Sequence, residues 1–373
     1  MKSPRVLIAM NAFKGSLSNR EACAAVAEAL TTLKIPFLQI PVGDGGRGSR
    51  DTIRVAWGGE IANLPGIGPM GAETTAQVLC APNASHPEKI FIDSPDICGY
   101  SLVSPMERNP MQATSRGLGE LLLRCHKLWN MTLKEIYIGL GDSAVSDAGI
   151  GMLGALGFQF LDGQGRSVSG NGEGLARLAN ILPAVTDPLE GIRLSVLCDV
   201  TNPLCGPSGS ARVFAPQKGA SPQDVERLSQ GMDIFAEQVR AISGREIAQQ
   251  TMTGSAGGLA AALYGLMNAD LLPGAKYLFD QVGFDEHLRS CDLLVTGEGK
   301  TDKQTLSGKA PRECLSRAKA LNKSALILSG SLGEGVEFTD NPKFLGCFAC
   351  GREPTAYEAL RREAQRIFSD LRF

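Results

Sequence analysis

The chain has 373 residues, of which 43% are hydrophobic, 20% charged and 6% aromatic; this balance excludes disordered and membrane-embedded classes and exceeds what one hydrophobic core comfortably serves. A formal net charge of -2 lacks the basic excess of a nucleic-acid binder and suits a small polar substrate. No apolar run approaches a membrane span and the N-terminal one is too short for a signal-peptide core, so a cytoplasmic protein is expected, with no nucleic-acid or membrane partner and with homo-oligomerisation left open.

In chain order, Arg5 to Met10 is a short apolar strand ending in the turn Asn11 to Gly15. Ser18 then caps a helix, with Glu21 completing a capping box. A second apolar run, Pro36 to Val42, ends in Asp44-Gly45-Gly46 and leads into a helix through Thr52 and Val55. From Gly58 to Ser104 the character changes to glycines, prolines and short β-type pieces, Thr74 to Cys80 and Lys89 to Ile92, without an obvious helix. Thr114 to Leu128 reads as a helix, Glu135 to Gly139 as a strand and Asp147 to Leu156 as a glycine-rich helix. Ser221-Pro222 is a cap followed by proline at the first helical position. From Asp292 strand and helix alternate again: strand 292 to 296, helix 311 to 321, strands 324 to 329 and 345 to 349, and a last helix capped by Thr355 with Glu358 three residues on.

The two ends therefore read as one kind of unit. The expected fold is α/β: a Rossmann-like domain built from both termini (1 to 58 and 288 to 373), with a second α/β domain (59 to 287) inserted and an active site in the cleft between them. The cysteines, among them Cys23, Cys80, Cys98, Cys125, Cys198, Cys291 and Cys314, are scattered through apolar segments and read as buried reduced thiols. Cys347 and Cys350 form a CxxC with no second pair and no histidine nearby, which reads as strand-end packing.

The stretch from Asp292 to Pro311 carries the most chemistry. An apolar strand runs into glycines alternating with carboxylates and lysines. Gly297, Gly299 and Gly308 let backbone N–H groups approach an anion, Lys300, Lys303 and Lys309 supply positive charge, and Glu298 and Asp302 are candidates to hold a divalent cation. Such equipment suits phosphoryl transfer, which depends on positioning and charge stabilisation. Lys309, with Ser307 and Gly308 before a helix start, is expected to face nucleotide phosphates. Lys14, beside Gly15 and Ser16 in a strand-to-helix turn, is a second candidate cation. Asp44 and Asp199 are strand-end carboxylates, either of which could accept a substrate proton; each could also cap its own turn. Gly257, in the cluster Gly254 to Gly258, could bind an anion or only let the following helix pack closely.

Strand, TGEGxxDxQTLxGKxP and helix together resemble the bacterial glycerate kinases of the first type. Four further segments match in the same order: 12 to 18 (AFKGSLS), 41 to 48 (PVGDGGRG), 139 to 149 (GLGDSAVSDAG) and 198 to 207 (CDVTNPLCGP), the last followed by 215 to 220 (APQKGA). The resemblance implies the two-domain arrangement, ATP and Mg²⁺ as cofactors, and D-glycerate as substrate, phosphorylated at the 2-hydroxyl; the residues themselves do not choose between its two hydroxyls. The chain departs from the commoner pattern at Met10, Asn11, Arg47, Asp142 and Ser146. Asp142 brings negative charge into a loop otherwise suited to an anion, whereas Asn11 keeps hydrogen-bonding ability.

Two rival readings have weaker support. Gly139-x-Gly141-x-x-Ala144 and Gly149-x-Gly151-x-x-Gly154 have dinucleotide-binding spacing, which would suit an NAD(P)-dependent oxidoreductase of a small hydroxy acid, but the first has no clear acidic residue at the end of a second strand at the right distance, Asp162 falling in a glycine-rich turn, and the second begins inside a helix. A non-catalytic phosphate- or carboxylate-binding protein would keep the glycines without needing both Glu298 and Asp302. There is no P-loop, since residue 294 is leucine, and no GxSxG elbow; the histidines, His86, His126 and His287, stand in unremarkable settings.

Overall fold

The computed structural model describes residues 5–13, 15–302, 305, 308–333, 341–351 and 353–371. Its strands are β1 Val6–Met10, β2 Phe37–Gln39, β3 Glu60–Ile67, β4 Glu73–Ala81, β5 Lys89–Asp93, β6 Glu135–Leu140, β7 Gln159–Leu161, β8 Asn180–Leu182, β9 Arg193–Cys198, β10 Asp270–Pro273, β11 Leu293–Thr301, β12 Ser324–Leu332 and β13 Phe344–Ala349. The described residues divide into two compact units, one within 5–44, 48–56 and 274–371, the other comprising 45–47 and 57–273.

The first unit is an open parallel sheet in the order β2-β1-β11-β12-β13. Every residue of β1 (Val-Leu-Ile-Ala-Met) is buried, as expected of a central parallel strand covered on both faces. Alternation divides it cleanly. Val6, Ile8 and Met10 pack with Ala22, Val26 and Leu30 of helix Asn19–Thr32 and with Leu360, Ala364 and Ile367 of helix Ala356–Asp370. Leu7 and Ala9 face Phe279, Phe284, Leu288, Cys314 and Leu315 on helices Gly274–Gln281, Phe284–Arg289 and Ala310–Ala320. The sheet is thus doubly wound, with its strand order reversing between β1 and β11, where ligands gather outside the carboxyl ends of such sheets.

Helix starts follow the local chemistry. Ser18 and Glu21 form the capping box of helix Asn19–Thr32, Ser221 and Asp224 form one for helix Pro222–Ser243, and Thr355 Oγ1 accepts from the Glu358 amide. One expectation is corrected: the strand after Asp292 does not stop at residue 296. Pairing with β12 carries β11 through Gly297, Glu298, Lys300 and Thr301, so Gly297 and Gly299 are strand residues, held by a neighbour that local sequence does not reveal.

The second unit is a mixed sheet, β10-β9-β6-β5-β4-β3, antiparallel across β3, β4 and β5 and parallel elsewhere. Strand β3, which the sequence did not announce, lies at the edge, where Pro65 is tolerated because no second partner needs its missing N–H. Short helices Pro95–Cys98 and Tyr100–Leu102 follow β5 in a region expected to lack them. The helix expected from Asp147 begins only at Ile150, because Ala148 and Gly149 both adopt positive φ. Among the described residues no helix is long and apolar enough to cross a membrane. All ten cysteines are free, most of them buried, and desolvation pushes thiols such as Cys23 and Cys198 up to about 12.

Candidate active site

In the first unit, the carboxyl ends of β1 and β11 bring candidate residues together at the point where the strand order reverses. The backbone N–H of Asn11 donates to the Gly297 carbonyl, and its side-chain Nδ2 donates to Asp44 Oδ2 at 3.1 Å. Asn11 and Asp44 are both buried. Asn19, at the start of its helix, donates from Nδ2 to the carbonyls of Val42 and Gly48 and so fixes the loop that carries Asp44.

Glu298 points from β11 and is only 6% exposed. Thr305 Oγ1, itself fully buried, donates to Glu298 Oε1 at 2.6 Å and accepts from the Asp302 amide at 3.0 Å. Burial is the largest cause pushing the Glu298 carboxyl up to about 7; Asp44 and Asp302 raise it further, while Lys309 and the Thr305 bond oppose the rise. Three predicted residues, Asp44, Asp302 and Lys309, therefore act electrostatically on a fourth, Glu298. Asp302 also pairs with Lys300 at 3.5 Å.

Lys309 occupies the N-cap of helix Ala310–Ala320 without a side-chain capping bond, and Pro311 follows in the first turn. The positive end of that helix and the Lys309 ammonium thus add in one place, an arrangement suited to an anion. Gly308, at φ +100°, turns the chain into this helix with open space where a Cβ would stand. Gly297 has a different reason to be glycine: a Cβ there would lie 1.9 Å from the Leu328 carbonyl oxygen and 2.6 Å from Met10 Cε. Its small size serves the sheet. Gly299 continues the same strand, with its carbonyl closely packed against Gly330. Lys14, Lys303 and Ser307, also singled out in the sequence, lie outside the described residues.

In the second unit, Asp199 follows β9 and neighbours the loop after β6, where a Cβ on Gly141 would come within 3.0 Å of Asp199 Oδ2. Lys218, 4% exposed, donates from Nζ to Ser143 Oγ at 3.0 Å and to the Val145 carbonyl at 2.5 Å. Desolvation pulls its ammonium down to about 8, opposed by the charges of Asp147 and Asp199 and by Cys98. Asp147 is fully buried and accepts from Ser115 N, Ser115 Oγ, Gly149 N and Gly151 N. Asp142 adopts φ +49°, and its carbonyl accepts from the Tyr100 amide.

In the glycine cluster before helix Leu259–Leu266, the packing alternative has a visible reason. A Cβ on Gly257 would fall 2.1 Å from the Val145 carbonyl oxygen, and the Gly257 carbonyl accepts from Ala148 N. The dinucleotide-like spacings have similar explanations. Gly149 packs on Ala262, Gly151 on Thr114 and Gly170, Gly139 on the Gly45 carbonyl and Gly141 on Gly46, while Gly154 has open space where a Cβ would stand.

Sequence reasoning gave no role to Thr305, Asn19 or Lys218. Thr305 lies inside the quoted TGEGxxDxQTLxGKxP stretch and Lys218 inside APQKGA, so their segments were visible while their partners were not. Among the described residues no group of three or more His, Cys, Asp or Glu is arranged to hold a metal. The pair Glu298 and Asp302 fits an ion that keeps several waters, such as Mg²⁺, because crowded carboxylates around a buried acid gain from a cation.

The chain and its fold are similar to those of known proteins. A family model described as the glycerate kinase family matches residues 6–371. A glycerate kinase of Bacillus cereus is 31% identical over 364 residues, covering 97% of this chain and 94% of that one. A glycerate 2-kinase of Escherichia coli is 32% identical over 335 residues, covering 89% and 86%. A crystal structure from Salmonella typhimurium LT2, assigned to a glycerate kinase 2, superposes with a TM-score of 0.76 at 31% identity, covering 99% of this chain and 98% of that one. With the match spanning nearly every residue from β1 to the last helix, the chain belongs to the glycerate kinase family.

Proposed function

We propose that the protein transfers the terminal phosphoryl group of ATP to D-glycerate, at the 2-hydroxyl, giving 2-phosphoglycerate and ADP. Family membership supports the activity, and the name of the Escherichia coli relative supports the position. The observation that carries the reading is the gathering of Asp44, Asp302 and Lys309 around the buried Glu298 carboxyl, with Lys309 at an uncapped helix start. Use of ATP is in keeping with the cytoplasmic location expected from the sequence.

In this reading Lys309 and the N-terminus of helix Ala310–Ala320 bind the nucleotide phosphates, and Gly308 lets the backbone turn toward them. Mg²⁺, held by Glu298 and Asp302, would neutralise charge building on the transferred group. Thr305 orients Glu298 through its 2.6 Å bond, and Asn11 fixes Asp44, which adds negative charge on the metal side. Asp199 orients the acceptor hydroxyl and takes its proton as the oxygen–phosphorus bond forms and the bond to ADP breaks. It is preferred to Asp44 as base because a buried ammonium, Lys218, favours its ionised form. With a loose transition state the base contributes less than the charge clamp.

The test is ATP consumption with glycerate and related hydroxy acids, with and without Mg²⁺, followed by phosphorus NMR of the product. Magnesium-dependent formation of 2-phosphoglycerate is expected. Formation of 3-phosphoglycerate would overturn the position, and turnover of NAD(H) in place of ATP would overturn the reaction.

A further inference from the structure

Lys218 is the only buried cationic side chain among the described residues. It ends the short helix Pro216–Lys218, and the chain turns at once through Gly219 at φ +99°, where a Cβ would lie 2.5 Å from the Arg108 carbonyl oxygen. The turn therefore drives this lysine inward instead of leaving it in water. Its two hydrogen-bond partners, Ser143 Oγ and the Val145 carbonyl, are neutral. A neutral donor would satisfy them without the cost of desolvating an ammonium, so the charge itself calls for a reason.

The charged and titratable groups around Lys218 supply one. Asp147, Asp199 and Cys98 act on it electrostatically, and Arg108 and Tyr100 line the same small cavity. Asp147 already accepts four hydrogen bonds from Ser115, Gly149 and Gly151. Asp199, at the end of β9, is the other carboxylate in reach of that charge. Being buried, Lys218 acts through its neighbours and not on a ligand.

Resting on the reading that Asp199 serves the acceptor hydroxyl, we infer that Lys218 is a positioning residue for this reaction: it keeps Asp199 ionised and anchors the loop from Ser143 to Val145 beside it. Charge and anchoring are separable. Lys218→Met removes both, Lys218→Arg keeps the charge, and Ser143→Ala loosens only the anchor.

The test compares kcat, the KM values and the pH dependence of kcat for the full-length wild type and these variants, with melting temperature as a check on folding. Lys218→Met is expected to lower kcat at least tenfold with the KM for ATP within about twofold, and to move the acidic limb of the kcat profile upward. Ser143→Ala is expected to lower kcat a few-fold with that limb unmoved, and Lys218→Arg to restore the wild-type limb. A folded Lys218→Met with wild-type kcat and an unshifted limb overturns the inference. Should that variant not fold, unchanged kcat in Ser143→Ala, or an acidic limb in Lys218→Arg displaced from the wild type, overturns it instead. An inactive wild type would overturn the functional reading and this inference with it, whereas an active wild type with indifferent variants overturns this inference alone.

Discussion

The side-chain amide of Asn11 meets the carboxylate of Asp44 at 3.1 Å, both groups buried, and ties the end of β1 to the loop that follows β2. Removing the amide leaves a buried carboxylate short of a donor, a loss of about 1–3 kcal/mol. Asn11→Ala is therefore expected to melt several degrees lower than the wild type and to turn over more slowly. An unchanged melting temperature in calorimetry would mean that Asp44 is satisfied without Asn11.

Glu298 gives a pH signature whose sign is fixed by its raised pKa. The folded carboxyl titrates at about 7 against an ordinary 4.5, so the folded state holds this proton more tightly than the unfolded chain. That stabilisation is complete below about 4.5 and is lost as pH rises through about 7. Glu298→Gln, neutral at every pH, should thus melt above the wild type at pH 8 and close to it at pH 5, while kcat falls by orders of magnitude. Added Mg²⁺ should narrow the gap at pH 8 by stabilising the wild type alone. Parallel melting curves across the whole pH range would contradict this.

Lys309 is half-buried at a helix start and makes no capping bond, so its removal should cost little stability, within about 0.5 kcal/mol. Activity is another matter. Lys309→Ala is expected to raise the KM for ATP tenfold or more and to lower kcat, with the KM for glycerate far less affected. Steady-state kinetics with each substrate varied in turn distinguishes this from a general loss of activity.

The glycines of the 297 to 308 stretch should separate into two kinds. Gly297→Ala sets a methyl 1.9 Å from the Leu328 carbonyl oxygen inside the sheet, a clash expected to cost more than about 3 kcal/mol and to abolish soluble expression. Gly308→Ala meets no atom but must hold φ +100°, which costs roughly 1–2 kcal/mol and leaves a folded protein with weakened nucleotide binding. Equal behaviour of the two variants in a solubility and melting assay would refute the division.

Much of this protein could be read from local sequence. The buried run of β1, the capping boxes at Ser18 and Ser221 and the renewed strand-helix alternation after Asp292 each declare themselves within a few residues, because burial periodicity and capping are local physics. So do the carboxylates, lysines and glycines of the 292 to 311 stretch as a chemical inventory.

What that inventory does was decided by partners far along the chain. Gly297 looks like a phosphate-loop glycine until β12 is placed beside it, and Gly257 like an anion nest until the Val145 carbonyl fills the space. Residue type alone cannot say that Glu298 holds its proton up to about 7 or that the Lys218 ammonium is drawn down to about 8. Those shifts come first from desolvation, and charges on other segments then modify them: Asp44 adds to the rise at Glu298, and Asp199 opposes the fall at Lys218. The amino-acid order set which groups were available; the tertiary structure set which of them share a field, because electrostatic and packing energies depend on distance in space and not on separation along the chain.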